Sequence, residues 1–179
     1  MNKIICKWLP KLIELDDYNG DWEKYNNSLY QLFKTDLLEK RITFKNKPIM
    51  FRINPKENGF EHAFIHLTCK NITKDYTNVN NRTIDFRRSE RLLWIRQIIE
   101  HYPCLENCIN CNKIWYYEEV YKSNIRINLV LIDQRYKVIL EERKNYILLI
   151  TGYYLDYNKN IIKEIKKHQQ YLQQKTPLI

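Results

Sequence analysis

The chain has 179 residues, 44% hydrophobic and 13% aromatic, with only 3 Gly and 5 Pro, a composition that excludes a disordered or collagen-like polymer and suffices to bury a core. The formal charge is +9; residues 1–39 hold 5 Lys and Arg against 7 Asp and Glu, so the basic character belongs to the remainder, which would attract polyanions over about one Debye length. The 5 cysteines are an odd number, and the first residues lack a secretory apolar run, so reduced thiols and a cytoplasmic setting are expected rather than a disulfide scaffold.

Between residues 18 and 40, Trp22, Tyr25, Leu29, Leu32, Phe33 and Leu37 recur at spacings near three and four, which predicts an amphipathic helix. Residues 45–53 read as an edge strand carrying Pro48 and ended by Asn54-Pro55. Phe60, Ala63, Phe64 and Leu67 form the stripe of a short helix and leave His62 and His66 together on its other face. Residues 71–81 are polar and predict a loop able to close over a site. Residues 85–102 predict one continuous helix, capped by Asp85 and ended by Pro103.

Four runs rich in branched and aromatic residues follow, at 113–118, 125–132, 136–141 and 146–155, and their short links predict an antiparallel meander. Residues 158–174 then form a basic helix. The expected architecture is α+β: N-terminal helices followed by a four-stranded antiparallel sheet, with a C-terminal helix and the helices packed on one sheet face. Within a single domain, residues 1–43 read as a helical extension, 44–156 as the core and 157–179 as the C-terminal basic helix. The longest strongly apolar run, 146–152, falls far short of the roughly 20 residues that cross a bilayer, so no membrane partner is expected.

On the 85–102 helix, Arg87 and Arg91 fall inside the apolar arc, where an unpaired guanidinium is costly, so an anion should meet them. That anion is either a phosphate held by the Arg fork or an internal carboxylate, from Glu141, Glu142 or Asp133. His62 and His66 can exchange protons near neutral pH; half of a zinc site and two plain surface histidines are the alternatives. Strand alternation puts Leu149, Thr151 and Tyr153 on one face, where the hydroxyls either orient a substrate or mark a solvated strand end. His101, Cys104, Cys108 and Cys111 offer four zinc ligands within eleven residues, though not at ribbon spacing. Glycine-rich phosphate loops and clustered acids for two metals are both missing, so no cofactor is expected.

Three segments carry a family pattern: Phe64-Ile65-His66-Leu67-Thr68, the Asp85-Phe86-Arg87-Arg88-Ser89-Glu90-Arg91-Leu92-Leu93-Trp94-Ile95 run, and Leu148-Leu149-Ile150-Thr151-Gly152-Tyr153. Residues 44–156 resemble the phage- and plasmid-associated branch of the barnase, EndoU, colicin and RelE-like ribonuclease superfamily. The resemblance implies a metal-independent endoribonuclease of toxin or phage-conflict type, with RNA as partner and an acidic inhibitor or antitoxin protein as a second. It implies His66 as general base or acid, Arg87 and Arg91 as phosphate binders, Thr151 with Tyr153 as support from the strand, and His62 as a second proton carrier. The rival expectations are a non-catalytic RNA-binding or regulatory module of the same fold, and a zinc-stabilised protein-interaction module.

Overall fold

The computed structural model describes residues 6–73, 81–106 and 111–175. Helix α1 (Trp22–Leu32) starts at Asp21, whose carboxylate accepts from the Lys24 amide at 3.1 Å and satisfies one otherwise orphaned donor. Its buried stripe of Tyr25 and Leu29 continues as Phe33 and Leu37 in a π-helical stretch, Phe33–Glu39. The strict four-residue repeat outruns a 3.6-residue turn, and the wider π turn keeps the stripe on the core. The Tyr25 hydroxyl donates to the Ile13 carbonyl and pairs with Ser89 Oγ, tying the N-terminal segment to the central helices.

Strands β1 (Thr43–Phe44) and β2 (Lys47–Met50) follow, then α2 (His62–Thr68), a short ribbon of β3 (Cys69–Asn71) with β4 (Arg82–Ile84), and helices α3 (Phe86–Ser89) and α4 (Trp94–Glu100). Strands β5 (Trp115–Tyr121), β6 (Asn124–Leu131), β7 (Tyr136–Glu142) and β8 (Ile147–Tyr154) form the expected meander, and α5 (Asn158–Lys175) is the expected C-terminal helix.

Five expectations need correction. The sheet is six-stranded, in the order β1-β2-β8-β7-β6-β5. The predicted edge strand lies inside it: β2 pairs antiparallel with β1 and parallel with β8 through Ile49↔Ile147 and Met50↔Leu148. Burial of Ile49 beside Ile147 is what recruits the segment.

The predicted 85–102 helix is two helices. Ser89 is buried against Tyr25, and the amides of Arg91, Leu92 and Trp94 bond three residues back, so the chain turns tightly before α4 buries Trp94, Ile95, Ile98 and Ile99. Each such buried aliphatic contributes on the order of 1.5–3 kcal/mol. Helices also occupy both sheet faces. Leu129, Leu131, Tyr136, Val138 and Leu140 join the main core with α1, α2 and α4, whereas Tyr117, Val130 and Leu155 form a second cluster with Ile161 and Tyr171 of α5.

The last correction concerns β8. A bulge between its pairings with Ile139 and Leu140 sets Leu149 opposite Leu140, on the core face, and Thr151 opposite Ile139, on the other. Thr151 and Tyr153 do share a face, but Leu149 does not. Of the predicted 71–81 loop, Asn71 belongs to β3, and residues 74–80 lie outside the described residues. Among the described residues no helix is long and apolar enough to cross a membrane.

Candidate functional site: a cationic cleft on the second sheet face

The face of the meander turned away from the main core is unusually polar. Cross-strand register aligns Glu119, Arg126, Glu141 and Leu148 in one row, Tyr117, Asn128, Ile139 and Thr151 in the next, and Trp115, Val130, Lys137 and Tyr153 in the third. Helix α5 covers the third row. There Lys137 Nζ donates to both Glu164 oxygens at 3.0 and 2.9 Å and to the Tyr117 hydroxyl at 2.7 Å, a pair in which both side chains are almost fully buried. The first row is left open and forms the floor of a cleft.

Helix α2 supplies the cleft's wall. Its apolar stripe of Ala63, Phe64 and Leu67 turns to the core, which places His62 and His66 one turn apart on the other side, their rings stacked with centroids 5.7 Å apart. The His62 Nδ1–H donates to Glu57 at 2.9 Å, leaving Nε2 as its free ring nitrogen. The other Glu57 oxygen pairs with Arg82 Nε at 2.9 Å. Glu57 is itself buried, so the carboxylate is a rigid mount for the ring. Burial, reinforced by Arg88, Arg82, His62 and Arg52, pushes the His66 imidazole down to about 4, so this ring is neutral at physiological pH.

The two histidines border two adjoining hollows. One, of about 430 Å³, is lined by Arg52, Lys122, Arg126 and Arg143 with Glu141 on its floor. The other, of about 600 Å³, is lined by Lys70, Arg82 and Arg88. Seven cations thus face the histidine pair against one lining carboxylate, and Glu141 is already held by Arg126 at 3.2 Å and by Arg143. A third hollow of about 260 Å³ shares Tyr121 and Arg126 with the first and runs beneath α5, past Tyr153, Lys163 and Lys167.

The six residues singled out in the sequence do not all meet. His62 and His66 do. Thr151 and Tyr153 belong to the same sheet face; the Thr151 hydroxyl is buried without a hydrogen-bond partner, and Tyr153 borders the third hollow, its phenol pushed up to about 12 by burial and by the Glu164 charge. Arg87 and Arg91 lie outside the cleft. Arg87 is exposed and pairs with Asp156 at 2.5 Å. Arg91 is buried between Trp94 and Tyr154, with guanidinium-to-ring distances of 5.1 and 4.9 Å, and donates to Glu90 and to the Arg87 carbonyl. The carboxylates that meet these arginines are therefore Asp156 and Glu90; Glu142 is taken by Lys47 and Asp133 by Asn112.

Arg88 takes the place in the cleft expected of its neighbours. Its Nη1 donates to the carbonyls of His66 and Cys69 at 3.2 and 3.3 Å, its Nε pairs with Asp85, and its guanidinium lies 5.7 Å from the Tyr153 ring centre. Sequence reasoning missed Arg88 along with Arg52, Glu57, Arg82, Arg126 and Arg143. The short hairpin link before β7 carried a usable signal for one of them, because it sets Arg126 opposite Glu141.

In the Cys-rich stretch, the His101 ring stacks on Trp8 at 4.5 Å and its Nδ1–H donates to the Gln97 carbonyl, while Cys108 lies outside the described residues. Among the described residues no group of three or more His, Cys, Asp or Glu is placed to hold a metal ion. Comparison of the chain with protein-family models, with curated proteins and with solved structures finds no match.

Proposed function

We propose that the protein is an endoribonuclease that cuts RNA by attack of the substrate's own 2′-hydroxyl, without needing a metal. The observation that carries this reading is the stacked His62–His66 pair at the junction of two hollows lined by arginine and lysine. The sequence resemblance to the barnase, EndoU, colicin and RelE-like ribonucleases points the same way.

Each step has a residue suited to it. Neutral His66 accepts the 2′-hydroxyl proton as the oxygen attacks phosphorus. Charge accumulating on the phosphorane's oxygens is met by the guanidinium groups of Arg52, Arg82 and Arg88, of which Arg82 is positioned in advance by Glu57 and Arg88 by the carbonyls of His66 and Cys69. His62, its Nδ1–H held by Glu57 and its Nε2 carrying a proton taken up from solvent, delivers that Nε2 proton to the leaving 5′ oxygen. The products are a 2′,3′-cyclic phosphate and a free 5′-hydroxyl. DNA lacks the internal nucleophile and is spared.

The test is incubation of purified protein with single-stranded RNA and with DNA of the same sequence, with and without chelator. Chelator-resistant cleavage of RNA alone, ending in cyclic phosphate and lost in His66→Ala and His62→Ala, is expected; RNA left intact across substrates overturns the reading.

One observation favours a second reading. The His66 Nδ1 is buried with no hydrogen-bond partner, so nothing fixes the ring's tautomer for proton transfer. A non-catalytic RNA-binding module would use the same cationic cleft, show salt-sensitive binding without cleavage, and bind equally well after His66→Ala.

A further inference from the structure

The three hollows form one path. The first shares the two histidines with the second and shares Tyr121 and Arg126 with the third, so lysines and arginines recur along the lining from the β3–β4 ribbon, past the histidine pair, to the inner side of α5, and the carboxylates among them, Glu141, Glu119 and Glu164, are each paired with a cation. At the far end stand Lys163 and Lys167, one turn apart on α5. Among the described residues Lys163 has no ion-pair partner, and Lys167 meets only Glu119, in a partly exposed pair of the kind that contributes little and yields readily to another anion. Between the chemistry and these lysines lies Tyr121, 44% exposed, with the Arg126 guanidinium 3.4 Å from its ring centre. An exposed aromatic beside a cationic groove is the arrangement on which single-stranded bases stack while their phosphates follow the charges.

We propose that α5 is a substrate-binding arm. Single-stranded RNA runs from the histidine pair across Tyr121 and Arg126, and its flanking phosphates bind Lys163 and Lys167. This inference rests on the ribonuclease reading and adds to it a substrate longer than the dinucleotide step that is cut. A duplex does not fit, because its paired bases cannot splay onto Tyr121.

The experiment uses the full chain and fluorescent single-stranded RNA carrying 2′-O-methyl groups, which removes the nucleophile and isolates binding. Wild-type protein should bind a decanucleotide more tightly than a tetranucleotide, and both more tightly than a duplex. In the Lys163→Gln/Lys167→Gln variant the decanucleotide should lose its advantage, and the slope of log affinity against log salt should become shallower by about 1.4, at about 0.7 for each phosphate no longer neutralised. Wild-type affinity and slope in that variant would overturn the proposal, and if unmodified RNA is still cut, the ribonuclease reading survives alone. Tyr121→Ala should weaken binding without changing the salt slope; an unchanged affinity counts against the stacking step. Tighter binding of an acidic polypeptide than of RNA, abolished by the lysine variant, would overturn the proposal in favour of an acidic protein partner.

Discussion

The Arg88 guanidinium donates to the main-chain carbonyl of His66 at 3.2 Å, so the residue that caps the last turn of α2 is also a cation of the cleft beside it. Structure and electrostatics are therefore joined at one side chain. Arg88→Lys keeps the charge but gives up the fork that reaches two carbonyls at once. Loss of these charge-assisted bonds should cost about 1.5–3 kcal/mol, measured by urea denaturation, together with weaker RNA binding. Arg87→Ala, which removes only an exposed ion pair, should cost no more than about 1 kcal/mol and leave binding unchanged. Equal binding losses in the two variants would show that the cleft has been drawn around the wrong arginine.

The sequence pointed to Arg87 and Arg91 for a physical reason. A helical wheel assumes one helix, and the run from Asp85 to Tyr102 has the periodicity of one; the break after Ser89 comes from a tertiary demand, the buried Tyr25–Ser89 hydrogen bond, which no local pattern encodes. The meander, α2 and α5 were legible because their periodicity is local and their links are short. The parallel pairing of β2 with β8 was not, because its partners lie about a hundred residues apart. His62 and His66 could be paired from spacing alone, yet their supports Glu57 and Arg82 come from separate segments, and the bulge that divides Leu149 from Thr151 leaves no mark in the alternation of β8.

His66 should make stability depend on pH. Its imidazole titrates near 6.5 in the unfolded chain and at about 4 in the fold, so between those values the unfolded state binds the extra proton. Its contribution is complete above about 6.5 and is lost as pH falls toward 4, amounting to about 3 kcal/mol over the window. Denaturation titrations of wild type and His66→Gln across this range should show the shallower pH dependence in the variant. Parallel curves would mean that the ring is hydrated in the fold.

Lys137 and Glu164 form a buried pair whose partners depend on each other. Burial draws the lysine downward, and the Glu164 charge opposes it. Lys137→Met removes the compensating cation and leaves the carboxylate facing only the Tyr117 hydroxyl; the expected loss is about 3–5 kcal/mol. Replacing all three members, Lys137→Met with Glu164→Leu and Tyr117→Phe, should recover most of it, since no buried charge then remains. A triple variant as unstable as the single one would place the cost in packing under α5 rather than in the stranded charge.

Gly152 faces the main core from β8, and a β-carbon there would stand 2.7 Å from the Tyr136 hydroxyl and 3.0 and 3.2 Å from two carbons of Ile95. Gly152→Ala should therefore cost about 1–3 kcal/mol, the usual range for overpacking. The nearest obstacle is itself anomalous: the Tyr136 hydroxyl is fully buried, has no hydrogen-bond partner, and has its ionisation pushed upward by that burial. Removing it with Tyr136→Phe should stabilise the fold by about 1 kcal/mol, because an unsatisfied buried polar group disappears while the ring remains. The two substitutions are coupled by contact, so Gly152→Ala should cost less in the Tyr136→Phe background than in the wild type, and the remaining cost belongs to Ile95 of α4. A thermal-denaturation cycle over the four proteins measures that coupling. Strict additivity would mean that the clash is absorbed by α4 alone, and that the hydroxyl has room to move aside.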